Sequence, residues 1–282
     1  MAKLTTVLEG RVFLESPRWR EGALWVADWG AHEALRIDGE GRAEVVARTN
    51  SFPMCIEHLP DGRLLIVDSA GRRLARREPD GSLATHADFS AFTERKAFGN
   101  DIVVDGRGNI YVNDVGFDFP GGEFRPGIVV LVSADGAVRE VAGDLAFPNG
   151  MAVTPDNGTL IVAESYGRRL SAFDIATDGG LSNRRVWADV DGPPDGICCD
   201  AEGCVWYADV PNKRCVRVAK GGRVMQTVET DRGAFSCILA GPKRNILYIV
   251  GQDWRGPKAL EEGGPSGQIV AIEVAVPGVG WP

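Results

Sequence analysis

The chain has 282 residues and a formal net charge of −8, with 31 Lys and Arg against 39 Asp and Glu. That balance argues against nucleic acid or an anionic membrane surface as a partner. No apolar run approaches the roughly 20 residues of a membrane span, and the opening MAKLTTVLEG lacks the apolar core of a signal peptide, so a cytoplasmic protein with no membrane partner is expected.

In chain order, a short strand is predicted over Leu4 to Leu8, followed by a hairpin, ESPRWREGALWVADW, from Glu15. Two further strands, Ala34 to Ile37 and Ala43 to Ala47, flank Asp38-Gly39-Glu40-Gly41. The hairpin plan returns in MCIEHLPDGRLLIVDS from Met54. Phe89 to Arg95 is the one helical candidate, a short linker. NDIVVDGRGNIYVND then begins at Asn100, with strands Ile128 to Val132 and Val138 to Val141 around Ala134-Asp135-Gly136. NGMAVTPDNGTLIVAES from Asn149, DGICCDAEGCVWYAD from Asp195 and SCILAGPKRNILYIVG from Ser236 repeat the plan, and one strand, Gln268 to Val274, remains. Asp-Gly or Asn-Gly between apolar runs is a hairpin signal, because these residues tolerate the left-handed backbone of a tight turn.

A four-strand unit recurring every 40–50 residues or so is the signature of a β-propeller. The six copies predict an all-β, six-bladed propeller, one domain over residues 1–282. The last copy lacks a strand, which Leu4 to Leu8 supplies, so the ring closes without an open edge. The Cys pattern contains no spaced pair of Cys-x-x-Cys motifs for structural zinc, and the six Cys read as buried thiols, with adjacent Cys198 and Cys199 facing opposite ways.

The first strand of each propeller blade lines the central channel. The first residue of each hairpin is Glu15, Met54, Asn100, Asn149, Asp195 or Ser236. Two carboxylates and two carboxamides meeting at one depth call for a cation between them. The all-oxygen set suits Ca²⁺, Mg²⁺ or Mn²⁺, with Zn²⁺ also compatible with carboxylates. The alternative is that these groups only bind turn backbones and channel water.

Four segments, LESPRW, GNDIVVDGRGNIYVND, FPNGMAVTPDNGTLIVAES and PPDGICCDAEGCVWYAD, in this order and at these spacings, resemble the SMP-30/gluconolactonase/luciferin-regenerating-enzyme family. The resemblance implies a six-bladed propeller with one divalent metal that mostly hydrolyses lactones. It implies Glu15, Asn149 and Asp195 as metal ligands, Asn100 as a further ligand or a substrate contact, and Asp195 as the general base. A carboxylate bound to a cation is a poorer base, so either its unbound oxygen serves or the cation itself activates the water.

Sugar-lactone hydrolases of the family commonly carry Arg two residues before the position of Asn100; this chain has Phe98. Phe98 donates no hydrogen bond, and a sugar would lose a contact worth about 1.5–3 kcal/mol. Phe13, Phe52 and Phe147 occupy the same repeat place, and Phe13 is expected to wedge between blades. The loops after the second strands carry Trp29, Phe117, Phe119, Phe124, Tyr166 and Trp254. That aromatic rim points to an apolar or aromatic lactone as the small-molecule substrate, with the long stretch Gly116 to Gly127 as a candidate lid. Trp29, Phe119 and Tyr166, with Phe98 and Asn100, are the predicted substrate contacts. Arg125, Arg168 and Lys213, in or near the same loops, are candidates for binding a substrate carboxylate. The other readings are a phosphotriesterase-like hydrolase, a non-hydrolytic isomerase or cyclase, and a ligand-binding propeller. Nothing in the chain demands a protein partner.

Overall fold

The computed structural model describes residues 3–257 and 264–282. Their strands form six sheets, five of four strands and one of five. The innermost strands are Leu14–Arg20, Met54–His58, Ile102–Val104, Pro148–Val153, Pro194–Asp200 and Gly233–Ala240. Each neighbours the next, and the sixth neighbours the first. The molecule is therefore a closed six-bladed β-propeller, as the repeat predicts. Every blade is an antiparallel sheet, and many of its tight turns place Gly or Asn at positive φ, such as Asn157 at 55°.

The ring closes as the strand count requires. Thr5–Arg11 lies outermost in the sixth blade, paired to Gly267–Glu273 through Thr5↔Ala271 and Thr6↔Val270. Covering that edge ties the first described residues to the last blade. A fifth strand in blade five was not anticipated: Gly278–Val279 pairs with the far end of Pro194–Asp200 through Cys199↔Val279 and Asp200↔Gly278. Beyond it Trp281 bridges to Val153 of blade four. The C-terminal residues thus lie across the inner-strand ends farthest from Asp195. The predicted Phe89–Arg95 helix is only a 3₁₀ turn, Ser90–Phe92.

The core is distributed between blades. In the second strand of blade five, Val205 and Tyr207 pack toward blade four with Ile161 and Ala163, while Trp206 and Ala208 pack toward blade six with Leu247 and Ile249. This is the two-residue period of a strand buried on both faces. Cys199 and Cys198 divide in the same way, and all six thiols are free and buried. Among the described residues no helix is long and apolar enough to cross a membrane.

The second strands of the first five blades end in an acid: Asp28, Asp68, Asp114, Glu164 or Asp209. Each binds its own loop. Asp28 accepts the Phe13 amide at 3.0 Å and Ala31 at 3.1 Å, and Asp114 accepts Gly99 at 2.9 Å and Gly116 at 2.8 Å. Asp28, Asp68, Asp114 and Glu164 satisfy loop backbone that would otherwise be buried unpaired, and Asp209 instead holds the side chains of Asn212 and Arg214, so all five belong to the scaffold under the site.

Candidate active site

Glu15, Asn149 and Asp195 all sit where the ladder slips. The residues before them pair regularly: Leu14 with Asp28, Pro148 with Glu164, Pro194 with Asp209. The register then shifts between Glu15 and Arg18, between Pro148 and Met151, and between Pro194 and Ile197. A bulge re-aims a side chain relative to regular pleating. In blade one Ser16 takes φ 55° and its hydroxyl is stitched to Ile56 of blade two, accepting the amide at 3.0 Å and donating to the carbonyl at 3.1 Å. In blades four and five the slip contains Gly150 and Gly196. A Cβ on Gly150 would stand 2.6 Å from the Asp195 carbonyl oxygen, so a bare α-carbon lets neighbouring strands carry their polar residues close together.

The bulges correct the assumption of one common depth. Met54 pairs with Asp68 in an unbroken ladder, level with Leu14. Blade six slips between Ala234 and Ser236, so Ser236 pairs with Val250, as deep as Ile197 opposite Tyr207. Glu15, Asn100, Asn149 and Asp195 all line one cavity of about 340 Å³, and Met54 and Ser236 are not among its lining residues.

The amides near the floor are held by directed hydrogen bonds. Asn100 Nδ2 donates to Pro148 O at 3.3 Å and to Asn149 Oδ1 at 3.5 Å. Asn149 Nδ2 donates to Ser165 Oγ at 3.4 Å, and the Ser165 hydroxyl donates to Pro194 O at 2.8 Å. The Asn149 carbonyl accepts Asn113 Nδ2 at 2.6 Å.

Burial pushes the Glu15 carboxyl up to about 8; the Ser16 amide pulls it down, Asp101 pushes it up and Arg18 pulls it down. Burial also drives Asp195 well above the ordinary range, and the charges of Glu15 and Asp101 add to the effect, while Asn149 and the Gly196 amide oppose it. The nearby cation is already engaged: Arg18 Nε donates to Glu57 at 2.6 Å, and Nη2 to the Ile102 carbonyl at 2.7 Å and Asp101 at 3.4 Å. Two crowded carboxylates with no dedicated counter-charge, beside carboxamides, fit a hard divalent cation. Among the described residues no three His, Cys, Asp or Glu side chains could hold a metal, so a cation here draws on the amide oxygens as well.

Above this polar floor the walls are aromatic. On one side Phe13 stacks on Trp29 at 5.1 Å and meets Phe235 edge-on at 5.0 Å. On the other, Phe147 lies over Tyr166 at 4.8 Å and meets Phe119 edge-on at 4.9 Å. Phe98 also lines the cavity but is only 1% exposed, with its ring 4.9 Å from Phe89 in the core between blades two and three. Phe13, expected as a wedge, both packs against Val210 and Phe235 and lines the cavity. Arg125, Arg168 and Lys213 do not line it. Arg95 does, and sequence reasoning missed it by placing it in a helical linker. Its guanidinium pairs with Asp114 and donates to the Phe117 carbonyl at 2.8 Å, bracing the loop of the aromatic wall.

The sequence and the fold are similar to those of known proteins. The SMP-30/Gluconolactonase/LRE-like region matches residues 13–252. The 6-deoxy-6-sulfogluconolactonase of Pseudomonas putida is 26% identical over 162 residues, 55% of this chain and 56% of that protein. Regucalcin of Xenopus laevis is 26% identical over 270 residues, 86% of this chain and 85% of that protein. The solved structure of a gluconolactonase from Xanthomonas campestris superposes with a TM-score of 0.79 at 25% identity, covering 96% of this chain and 90% of that one.

Proposed function

The chain belongs to the SMP-30/gluconolactonase/LRE-like family, and we propose that it is a metal-dependent hydrolase opening a lactone with an apolar or aromatic body. The observation that carries the reading is the joining of an all-oxygen floor to two aromatic walls in one cavity. Glu15, Asn149 and Asp195 would hold the divalent cation, with Asn100 as a further ligand or a contact to the lactone carbonyl. When bound, the cation would polarise that carbonyl and favour the negative charge developing on its oxygen.

The rest falls to the side chains. The walls around Trp29, Phe119 and Tyr166 take the body of the substrate and exclude bulk water. Asp195 accepts a proton from the attacking water at its free carboxylate oxygen. The water oxygen bonds to the carbonyl carbon, the ring C–O bond breaks, and Asp195 returns the proton to the departing ring oxygen. Burial and the charge of Glu15 raise the Asp195 pKa, the direction opposite to the lowering that a bound cation would impose. Arg95, the cation among the described cavity-lining residues, is paired with Asp114, which favours an uncharged substrate over an anionic one.

The test is a hydrolysis panel read by proton release, with sugar lactones beside aliphatic and aromatic lactones of matched ring size. Turnover confined to the apolar members is expected. Faster turnover of sugar lactones would remove the apolar assignment and leave the reaction class.

A further inference from the structure

An asparagine ligand must present its oxygen, not its nitrogen, to a cation, and an amide does not choose between them by shape. Around Asn149 the choice is made by hydrogen-bond polarity. Pro194 O can only accept. Ser165 Oγ stands 2.8 Å from it, so the single hydroxyl proton of Ser165 is committed there. Toward Asn149, 3.4 Å away, Ser165 is left with lone pairs and can only accept. The Asn149 NH₂ must therefore face Ser165, and Oδ1 is turned to the opposite side, where Asn100 Nδ2 lies at 3.5 Å. Ser165 is itself anchored, its amide donating to Phe147 O at 3.0 Å, and it lines the cavity beside Asn149 and Asp195.

We infer that Ser165 is a positioning residue that fixes which end of the Asn149 carboxamide faces the cation, and so sets cation affinity without being a ligand. The inference rests on the cation site proposed above.

The experiment is calorimetric titration of Mn²⁺ into chelator-stripped full-length protein, for the wild type, Ser165→Ala, Asn149→Asp and the double variant. Melting of the stripped proteins confirms that each is folded. A hydrogen bond of ordinary net worth corresponds to about a three- to ten-fold change in affinity, so Ser165→Ala should weaken Mn²⁺ binding by about that factor. The carboxylate introduced by Asn149→Asp presents an oxygen whichever way it turns. In that background, Ser165→Ala should change affinity by less than about two-fold, a non-additivity that a merely structural role would not produce. Unchanged affinity in Ser165→Ala, with the wild type binding Mn²⁺, overturns the inference and leaves the cation site standing. An equal loss in both backgrounds overturns it as well, because the effect would not run through the amide. A wild type that binds no Mn²⁺ removes the cation site and this inference together.

Discussion

Gly196 lies directly against Ser236: a Cβ on Gly196 would stand 2.5 Å from Ser236 Cβ and 2.7 Å from its Cα. The inner strands of blades five and six meet there, one residue past Asp195. Backbone cannot yield as a flexible side chain does, so Gly196→Ala should push the strands apart. A loss of about 1–3 kcal/mol is expected from overpacking, read as a lower urea midpoint, with weaker divalent-cation binding because Asp195 moves. An unchanged midpoint would show that the contact is not tight.

Asp195→Asn keeps the shape of the side chain and removes both the proposed base and a repelling charge beside Glu15. Turnover should fall by about 10²–10⁴-fold, while the cation-stripped protein melts no lower than wild type. Normal turnover would reject Asp195 as the base.

Arg18 links blade one to Glu57 of blade two and Asp101 of blade three, and Asp101 accepts the Met151 amide of blade four at 3.1 Å. Arg18→Met leaves two carboxylates without their cation. Breaking a buried ion pair from one side costs about 3–5 kcal/mol. Adding Glu57→Gln should recover part of it, since one stranded charge is then gone. Equal denaturation midpoints for wild type and Arg18→Met would contradict this network.

Two groups take stability away as the pH falls, over overlapping ranges. Burial, then the charges of Arg20 and Arg18, lower His58 to about 3. Between pH 6.5 and about 3 the unfolded chain therefore takes up a proton that the folded protein refuses, and stability falls as pH falls. Burial alone would raise Glu164, but hydrogen bonds from Arg169, the Ala146 amide, Ser171 and Arg184 outweigh it and bring it to about 2. Its contribution is present above pH 4.5 and lost on the way down to about 2. Each group acting alone contributes a slope of up to about 1.4 kcal/mol per pH unit. Glu15 and Asp195, both raised by burial, act in the opposite sense over this range in the cation-free protein, so the His58 contribution is read as a difference: from pH 7 to 5.5 and 4.5 the urea midpoint of the wild type should fall relative to that of His58→Phe. Parallel pH profiles for the two proteins would assign no acid response to His58.

The blades were legible because turn chemistry and strand alternation recur together: Asp38-Gly39, Asp135-Gly136 and Asn157-Gly158 each mark a hairpin. Closure by Thr5–Arg11 followed from counting strands. The depth of Ser236 did not, because the slip of blade six, between Ala234 and Ser236, holds no glycine to mark it. The convergence of Glu15, Asn149 and Asp195 was anticipated, whereas its cause, a ladder slip at each of them, emerged only from the pairing. Gly150 and Gly196, directly after two of the three, are the sequence trace that could have shown it. Gly278–Val279 escaped because two residues carry no period. Arg18 carries no signal in the sequence, since its partners lie 39 and 83 positions away. Phe98 shows the limit of reading a cavity from one position: its ring belongs mainly to the core with Phe89. Phe98→Arg would bury a guanidinium there, so a lower melting point is expected rather than a gain on sugar lactones.

The proposed hydrolysis depends on a cation at the floor of the aromatic cavity. The most direct measurement is proton release from an aromatic lactone by chelator-stripped protein, before and after Ca²⁺, Mg²⁺, Mn²⁺ or Zn²⁺ is restored. Turnover that vanishes on stripping and returns with at least one of these ions, in protein that stays folded throughout, is the predicted result. Undiminished turnover in the stripped protein, or none with the cation demonstrably bound, would contradict it.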